Sequence, residues 1–124
     1  MQTIAKPTMN EGETYIALIG NANGEAYHLI LLPGDNDRAR FDTQLEWAKS
    51  IGGDLPDRVE QAVLFKHFKS EFQEAGYWSN TVCEPDDDEE ESSWAWSQTF
   101  GYGSQYCNLK SYGLRARAVR RLPI

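Results

Sequence analysis

The segment Glu84-Pro85-Asp86-Asp87-Asp88-Glu89-Glu90-Glu91-Ser92-Ser93 places seven carboxylates within eight residues. Like charges that close repel along a strand, and Pro85 removes a ladder donor, so the segment is not a strand. Burying it as a helix would strip water from every carboxylate without a partner. It must be a loop, 84–93, and the fold must carry that loop at its surface. On either side the pattern is β. Tyr77-Trp78-Ser79-Asn80-Thr81-Val82-Cys83 is strand-like. Trp94 to Phe100 alternates, with Trp94, Trp96, Gln98 and Phe100 on one face and Ala95, Ser97 and Thr99 on the other. Residues 77–121 therefore form a tryptophan-rich β unit that carries a long acidic loop.

The rest of the chain supplies a hairpin and two helices. Tyr15–Gly20 and Tyr27–Pro33 are short β-branched and aromatic runs joined by 21–26, where Asn23-Gly24 favours the positive φ of a tight turn. Gly34-Asp35-Asn36-Asp37 reads as a turn. From Asp42 to Ile51, apolar residues at three- and four-residue spacing (Leu45, Trp47, Ala48, Ile51) predict a helix ended by Gly52-Gly53. Asp57, with Glu60 three residues on, predicts a capping box opening a second helix through Phe72. Its Leu64, Phe68 and Phe72 stripe, with Val59, Ala62 and Phe65 alongside, is expected to be core. After a turn at 101–104, a short strand over 106–112 and a final one over Leu114–Leu122 are expected. Residues 1–13 read as a loosely tied start to one domain, 1–124.

Charge divides the chain. Residues 1–83 hold 12 acidic and 7 basic side chains, 84–108 hold 7 acids and no base, and 109–124 hold 5 bases and no acid. The two cysteines, Cys83 and Cys107, are too few for a metal cluster and are expected to be free, partly buried thiols rather than a bridge. With no apolar run long enough to span a bilayer and no secretory h-region at the N-terminus, a cytoplasmic location without membrane attachment is expected.

Trp47-Ala48, Leu55-Pro56-Asp57-Arg58-Val59-Glu60, Tyr77-Trp78-Ser79-Asn80-Thr81, Ala95-Trp96 to Phe100, and Ala116-Arg117-Ala118-Val119-Arg120 follow one another in a fixed order. That ordered set, covering about residues 27–122, resembles the DUF1566 family, a C-type-lectin-like domain frequent in bacteria, phages and prophages. The resemblance implies an α+β, C-type-lectin-like fold. In it the N-terminal β-hairpin and two helices pack on a small mixed or antiparallel sheet. The acidic expansion between Thr81 and Trp94 departs from the family pattern, so Trp78, Trp94, Trp96 and Arg117 read as scaffold and the loop as the place to seek specific function.

No catalytic set emerges. His28 lies inside an apolar strand and His67 on a helix beside lysines, neither at a nucleophile's spacing, and no cofactor is implied. Glu84-Pro85-Asp86 looks like a lectin sugar motif and Trp78-Ser79-Asn80 like its partner element, but in reversed order. Weak attraction of Ca²⁺ by the acid run is expected, rather than a built site. The strip Arg115, Arg117, Arg120 and Arg121 is expected to pair with carboxylates or stack on tryptophans, and direct nucleic-acid binding is disfavoured by the acidic balance. The expected function is a non-enzymatic, phage-type module that binds a protein partner. The contact residues are Glu84, Asp86, Asp87, Asp88, Glu89, Glu90, Glu91, Trp94, Trp96 and Tyr102. Two alternatives remain open: an acidic nucleic-acid mimic that inhibits a host nuclease or defence (anti-CRISPR-like) complex, and a phage structural or receptor-binding component. A solubilising, non-contacting loop is the plainer reading of the acids.

Overall fold

The computed structural model describes residues 4–85 and 91–124. Among these it contains strands β1 (Thr14–Gly20), β2 (Ala26–Leu31), β3 (Asn36–Ala39), β4 (Gly76–Val82), β5 (Trp94–Thr99), β6 (Gln105–Leu109), β7 (Leu114–Ala116) and β8 (Val119–Pro123), with helices α1 (Phe41–Ser50) and α2 (Arg58–Phe68). The class is α+β, with two sheets rather than one: a three-stranded sheet β1-β2-β8 and a five-stranded sheet β3-β7-β4-β5-β6. Pairing is antiparallel except between β4 and β7, where Tyr77 meets Arg115 in parallel.

The β1–β2 hairpin forms as its turn chemistry requires. The Asn21 side-chain oxygen accepts from the amides of Asn23 and Glu25, and Gly24 takes φ +80°. Residues 4–13 hold no strand or helix, yet they end tied down, because Glu13 pairs with Arg120 of β8.

Helix α1 buries Phe41, Gln44 and Ala48. Ile51, expected on the core stripe, is exposed, because the helix ends there in a Schellman turn. Gly53 N–H donates to Ala48 O, Gly52 N–H donates to Lys49 O, and Gly52 has φ +84°. The turn expected at 34–37 extends into strand β3, which the sequence did not signal. Gln44 secures it from below, its amide donating to Asp37 O and Leu114 O and accepting from Asn36.

The second helix is shorter than expected and turned differently. Its capping box at Asp57 and Glu60 is present, but the α-helix ends at Phe68 and a 3-10 turn covers Lys69–Glu71. The buried face is Glu60, Gln61 and Leu64, with Phe65, Phe68 and Phe72 partly buried. Val59 and Ala62, expected in the core, lie on the outer face, with Val59 62% exposed. Helical periodicity locates a stripe but not its centre, and here the buried polar network described below pulls Glu60 inward.

Consecutive residues of β4 show how the layers stack. Trp78 packs with Phe41, Ala48 and Leu55 on the α1 side. Tyr77 packs with Leu64, Phe100, Leu29, Leu31 and Val119 on the α2 side. The two helices therefore cover opposite faces of the five-stranded sheet.

The final strand expected over 114–122 splits in two. Leu114–Ala116 belongs to one sheet and Val119–Pro123 to the other, with residues 116–119 buried as the chain crosses. Arg117 holds the crossing: its guanidinium donates to Glu71 O and Leu32 O, both at 2.7 Å, while Leu32 N–H donates to Ala118 O. Among the described residues no helix is long and apolar enough to cross a membrane.

Candidate partner-binding surface

Two polar systems flank α2. At its N-terminal end Glu60, fully buried, accepts from Tyr27 Oη at 2.6 Å, from Arg121 Nε at 2.7 Å and Nη2 at 2.6 Å, and from the Asp57 amide at 2.8 Å. Arg121 also donates to Asp54 at 2.8 Å and to Leu55 O, and Asn80 donates to the same Asp54 oxygen. Burial pushes the Glu60 carboxyl up, but the hydrogen bonds from Arg121, Tyr27 and Asp57 outweigh it and hold it below the ordinary carboxylate range. Burial and the same carboxylate push the Tyr27 phenol upward.

The Tyr77–Asn80 motif is structural in the same sense. Tyr77 Oη donates to Asp35, Trp78 Nε1 to Ala39 O, Ser79 Oγ to Trp96 O, and Asn80 to Asp54. The arginine strip is also consumed within the scaffold. Arg115 pairs with Asp35 and Asp37, Arg120 with Glu13, and Arg121 with Asp54 and Glu60, while Arg117 reaches Glu71 at 3.8 Å. The expectation of carboxylate pairing holds for all four. The cation stacked on a tryptophan is instead Arg58, 3.5 Å above Trp96.

The acidic segment lies at the other margin, between β4 and β5. Asp86, Asp87, Asp88, Glu89 and Glu90 lie outside the described residues. Glu84 and Glu91 are exposed, and neither joins an ion pair among the described residues. The segment opens beside a disulfide, since Cys83 and Cys107 are bridged with their Cα atoms 6.2 Å apart. This overturns the expectation of free thiols. Cys83 N–H donates to Trp94 O, which brings the chain across β5 toward Cys107, the residue opposite Trp96 on β6. The two cysteines are 24 residues apart in sequence, and only the β4–β5–β6 pairing makes them neighbours.

The expected contact residues are not all in one place. Trp94 and Trp96 share a face of β5, Trp94 40% exposed and Trp96 half-buried under Arg58. Tyr102 is 88% exposed but sits in the β5–β6 turn. The length of β5, roughly 20 Å at ordinary strand rise, separates it from the acidic margin.

Between α2 and the β5–β6 hairpin lies an open concavity of about 730 Å³, lined by Arg58, Val59, Phe65, Gln98, Gly103 and Gln105 among others. Gln105 stitches it, donating to Arg58 O and Gln98 Oε1 and accepting from Arg58 Nε. Apolar Val59 and Ala62, expected in the core, instead line this groove from the α2 side. A second, smaller depression brings Glu91 and Ser92 against Leu109 and Lys110. No group of three or more His, Cys, Asp or Glu side chains among the described residues is arranged to hold a metal.

The chain matches no protein-family model and no curated protein at a significant level.

Proposed function

We propose that this chain is a C-type-lectin-like, non-enzymatic module of phage or prophage type that binds a basic protein partner at the acidic margin of the five-stranded sheet. The observation that carries the reading is the distribution of counter-charge. Every arginine of the C-terminal strip is engaged inside the scaffold, while Glu84 and Glu91 leave the fold exposed at either end of a run of seven carboxylates. An anionic surface of that density steers a basic partner into encounter and makes association fall with salt. Exposed Trp94 beside it supplies the apolar contact that charge alone lacks. Two helices covering opposite faces of a mixed sheet, and the ordered motifs from Trp47 to Arg120, support the C-type-lectin-like assignment.

A non-catalytic role is supported by the histidines. His28 is buried with Nδ1 2.8 Å from Tyr15 Oη, and His67 is an exposed residue near the end of α2. A second reading, a nucleic-acid mimic that occupies a basic groove on a host nuclease or defence complex, is favoured by the absence of any base between residues 84 and 108. The Cys83–Cys107 disulfide counts against the expected cytoplasmic location, because such bridges persist where thiols oxidise.

Deleting Asp86–Glu91 tests the reading. Affinity for a basic partner recovered from the host is expected to fall and to lose its salt dependence. Unchanged affinity and unchanged salt dependence would show the segment to be a solubilising loop.

A further inference from the structure

From the groove between α2 and the β5–β6 hairpin we infer a binding site for a small apolar carboxylic acid, its carboxylate held by Arg58. The site is separate from the acidic margin, and its occupation needs no contact with the acidic segment.

The walls follow from helical spacing. Arg58, Val59, Ala62 and Phe65 form one outer stripe of α2 and extend roughly 10 Å along the groove. The hairpin lies alongside. Gln105 hydrogen-bonds Arg58 at the first turn of the helix, and Gly103 meets Phe65 two turns further on. Gly103 takes φ +80°, and a Cβ there would stand 2.5 Å from the Phe65 ring, so glycine lets the turn close that end. The volume between the walls, about 730 Å³, is in the range of small-molecule sites.

Hydrogen bonding fixes the chemistry of the lining. Gln98 donates to Gln61 O and accepts from Gln105. Gln105 donates to Arg58 O as well and accepts from Arg58 Nε at 3.0 Å. Both glutamines are therefore engaged with each other and with the scaffold. What remains for a ligand is an apolar trough of Val59, Ala62, Phe65 and Gly103 with one cation at its end.

That cation is fixed without a counter-charge. Each arginine of the C-terminal strip reaches a carboxylate, whereas Arg58 joins no ion pair among the described residues. Its guanidinium is held at two points, 3.5 Å over the Trp96 ring and through Nε to Gln105. Stacking covers a face and Gln105 takes Nε, which leaves the paired Nη groups in the guanidinium plane. A carboxylate accepts from that fork in the same plane, and a side chain already held loses little freedom on binding it. The body of the ligand is apolar for a related reason. Peptide amides turned toward the trough would lose water and find the glutamines already engaged, whereas an alkyl chain has no such groups to satisfy.

The test is an NMR titration of the full oxidised chain with octanoate, octanamide, butanoate and an acetylated alanyl-alanyl-leucine peptide. Octanoate is expected to move the amides of Val59, Ala62, Phe65 and Gly103 saturably, with a Kd on the order of a millimolar. Octanamide keeps the chain and loses the charge, and should bind roughly tenfold more weakly. Butanoate keeps the charge and loses half the chain, and should be weaker by roughly tenfold or more. Arg58→Gln should lower octanoate affinity to that of octanamide and leave octanamide unmoved. Ala62→Phe keeps Arg58 and fills the trough from an exposed helix position, so it should weaken both ligands alike. Equal binding of octanoate and octanamide, octanoate binding that ignores either substitution, saturable shifts elsewhere, or no saturable shift overturns the site. Tighter binding of the peptide than of octanoate overturns the small acid and makes the groove a pocket for a protein C-terminus. Every one of these outcomes leaves the acidic-margin reading standing.

Discussion

The two polar regions flanking α2 use the same residue types to opposite ends. At the Glu60–Arg121 joint a carboxylate is taken out of water beside a partly buried guanidinium, and every lone pair of Glu60 is aimed at a donor: Tyr27, Arg121 or the Asp57 amide. At the β5–β6 margin a guanidinium lies over an indole and carboxylates face solvent. Burial makes the first region structural, because a charge without water depends on its partner. Exposure leaves the second available, because water holds its groups until a partner displaces it. The buried joint therefore carries stability, and the exposed margin is the surface that the proposed recognition would use.

The largest effect should come from Arg121→Met, which leaves Glu60 buried without its counter-charge and should destabilise by about 3–5 kcal/mol in urea unfolding. A loss as small as that of a surface pair, about 1 kcal/mol or less, would break the comparison at its structural end. Next is the double replacement Cys83→Ser with Cys107→Ser. Closing a loop of that length restricts the unfolded chain, so its removal should cost about 3 kcal/mol, read as a lower Tm with the fold retained. A cost exceeding that of Arg121→Met would show that the margin, too, is structural.

Much of this architecture was legible because it is encoded locally. Asn23-Gly24, the Gly52-Gly53 stop and the Asp57–Glu60 capping box each set a backbone geometry from a few adjacent residues, and each appears where its chemistry requires. What was not legible depended on contacts distant in sequence. The Cys83–Cys107 bridge needs β5 between its partners. The inward turn of Glu60, and so the exposure of Val59, needs Arg121 from the far end of the chain. The split of the last strand needs Arg117 to meet Leu32 and Glu71 carbonyls from two other segments. At the candidate site, Trp94 and the acids were found by composition. The separation of Tyr102 from them follows only from the register of the hairpin.

Acid should discriminate the joint from the margin. Glu60 is held below its ordinary range as described, and Glu13 is held below it first by the Arg120 hydrogen bond, against a smaller opposing effect of burial. A carboxyl depressed in the folded state contributes stability that is complete above its unfolded pKa and is lost as pH falls through the folded one. Unfolding free energy should therefore decline from about pH 5 downward, and Glu60→Gln should flatten that decline. On the alkaline side Tyr77 is pushed up to about 12, first by burial and then by its hydrogen bond to Asp35. Its contribution is complete below the ordinary phenol range and is lost as pH rises through that value. A Tyr77→Phe chain should be less sensitive to alkali. At the margin, Arg58→Ala removes the stack on Trp96 and the bond to Gln105 and should cost only about 0.5–1 kcal/mol.

The smallest effects on stability should be the most informative about recognition. Trp94→Ala and Tyr102→Ser both alter exposed side chains, and each should shift unfolding by no more than about 0.5 kcal/mol. In binding they should part. Trp94 stands at the end of β5 where the acidic segment returns to the sheet, opposite Leu109 of the β6 edge, whereas Tyr102 occupies the distant turn. With the basic partner of the proposed function, Trp94→Ala should weaken affinity several-fold, on the order of 1 kcal/mol for an anchor aromatic, and Tyr102→Ser should leave it unchanged. Equal losses from the two would mean that the contact runs the whole length of the hairpin, past the groove between α2 and Gln105. A loss from Tyr102→Ser alone would move the site to the turn and away from the carboxylates.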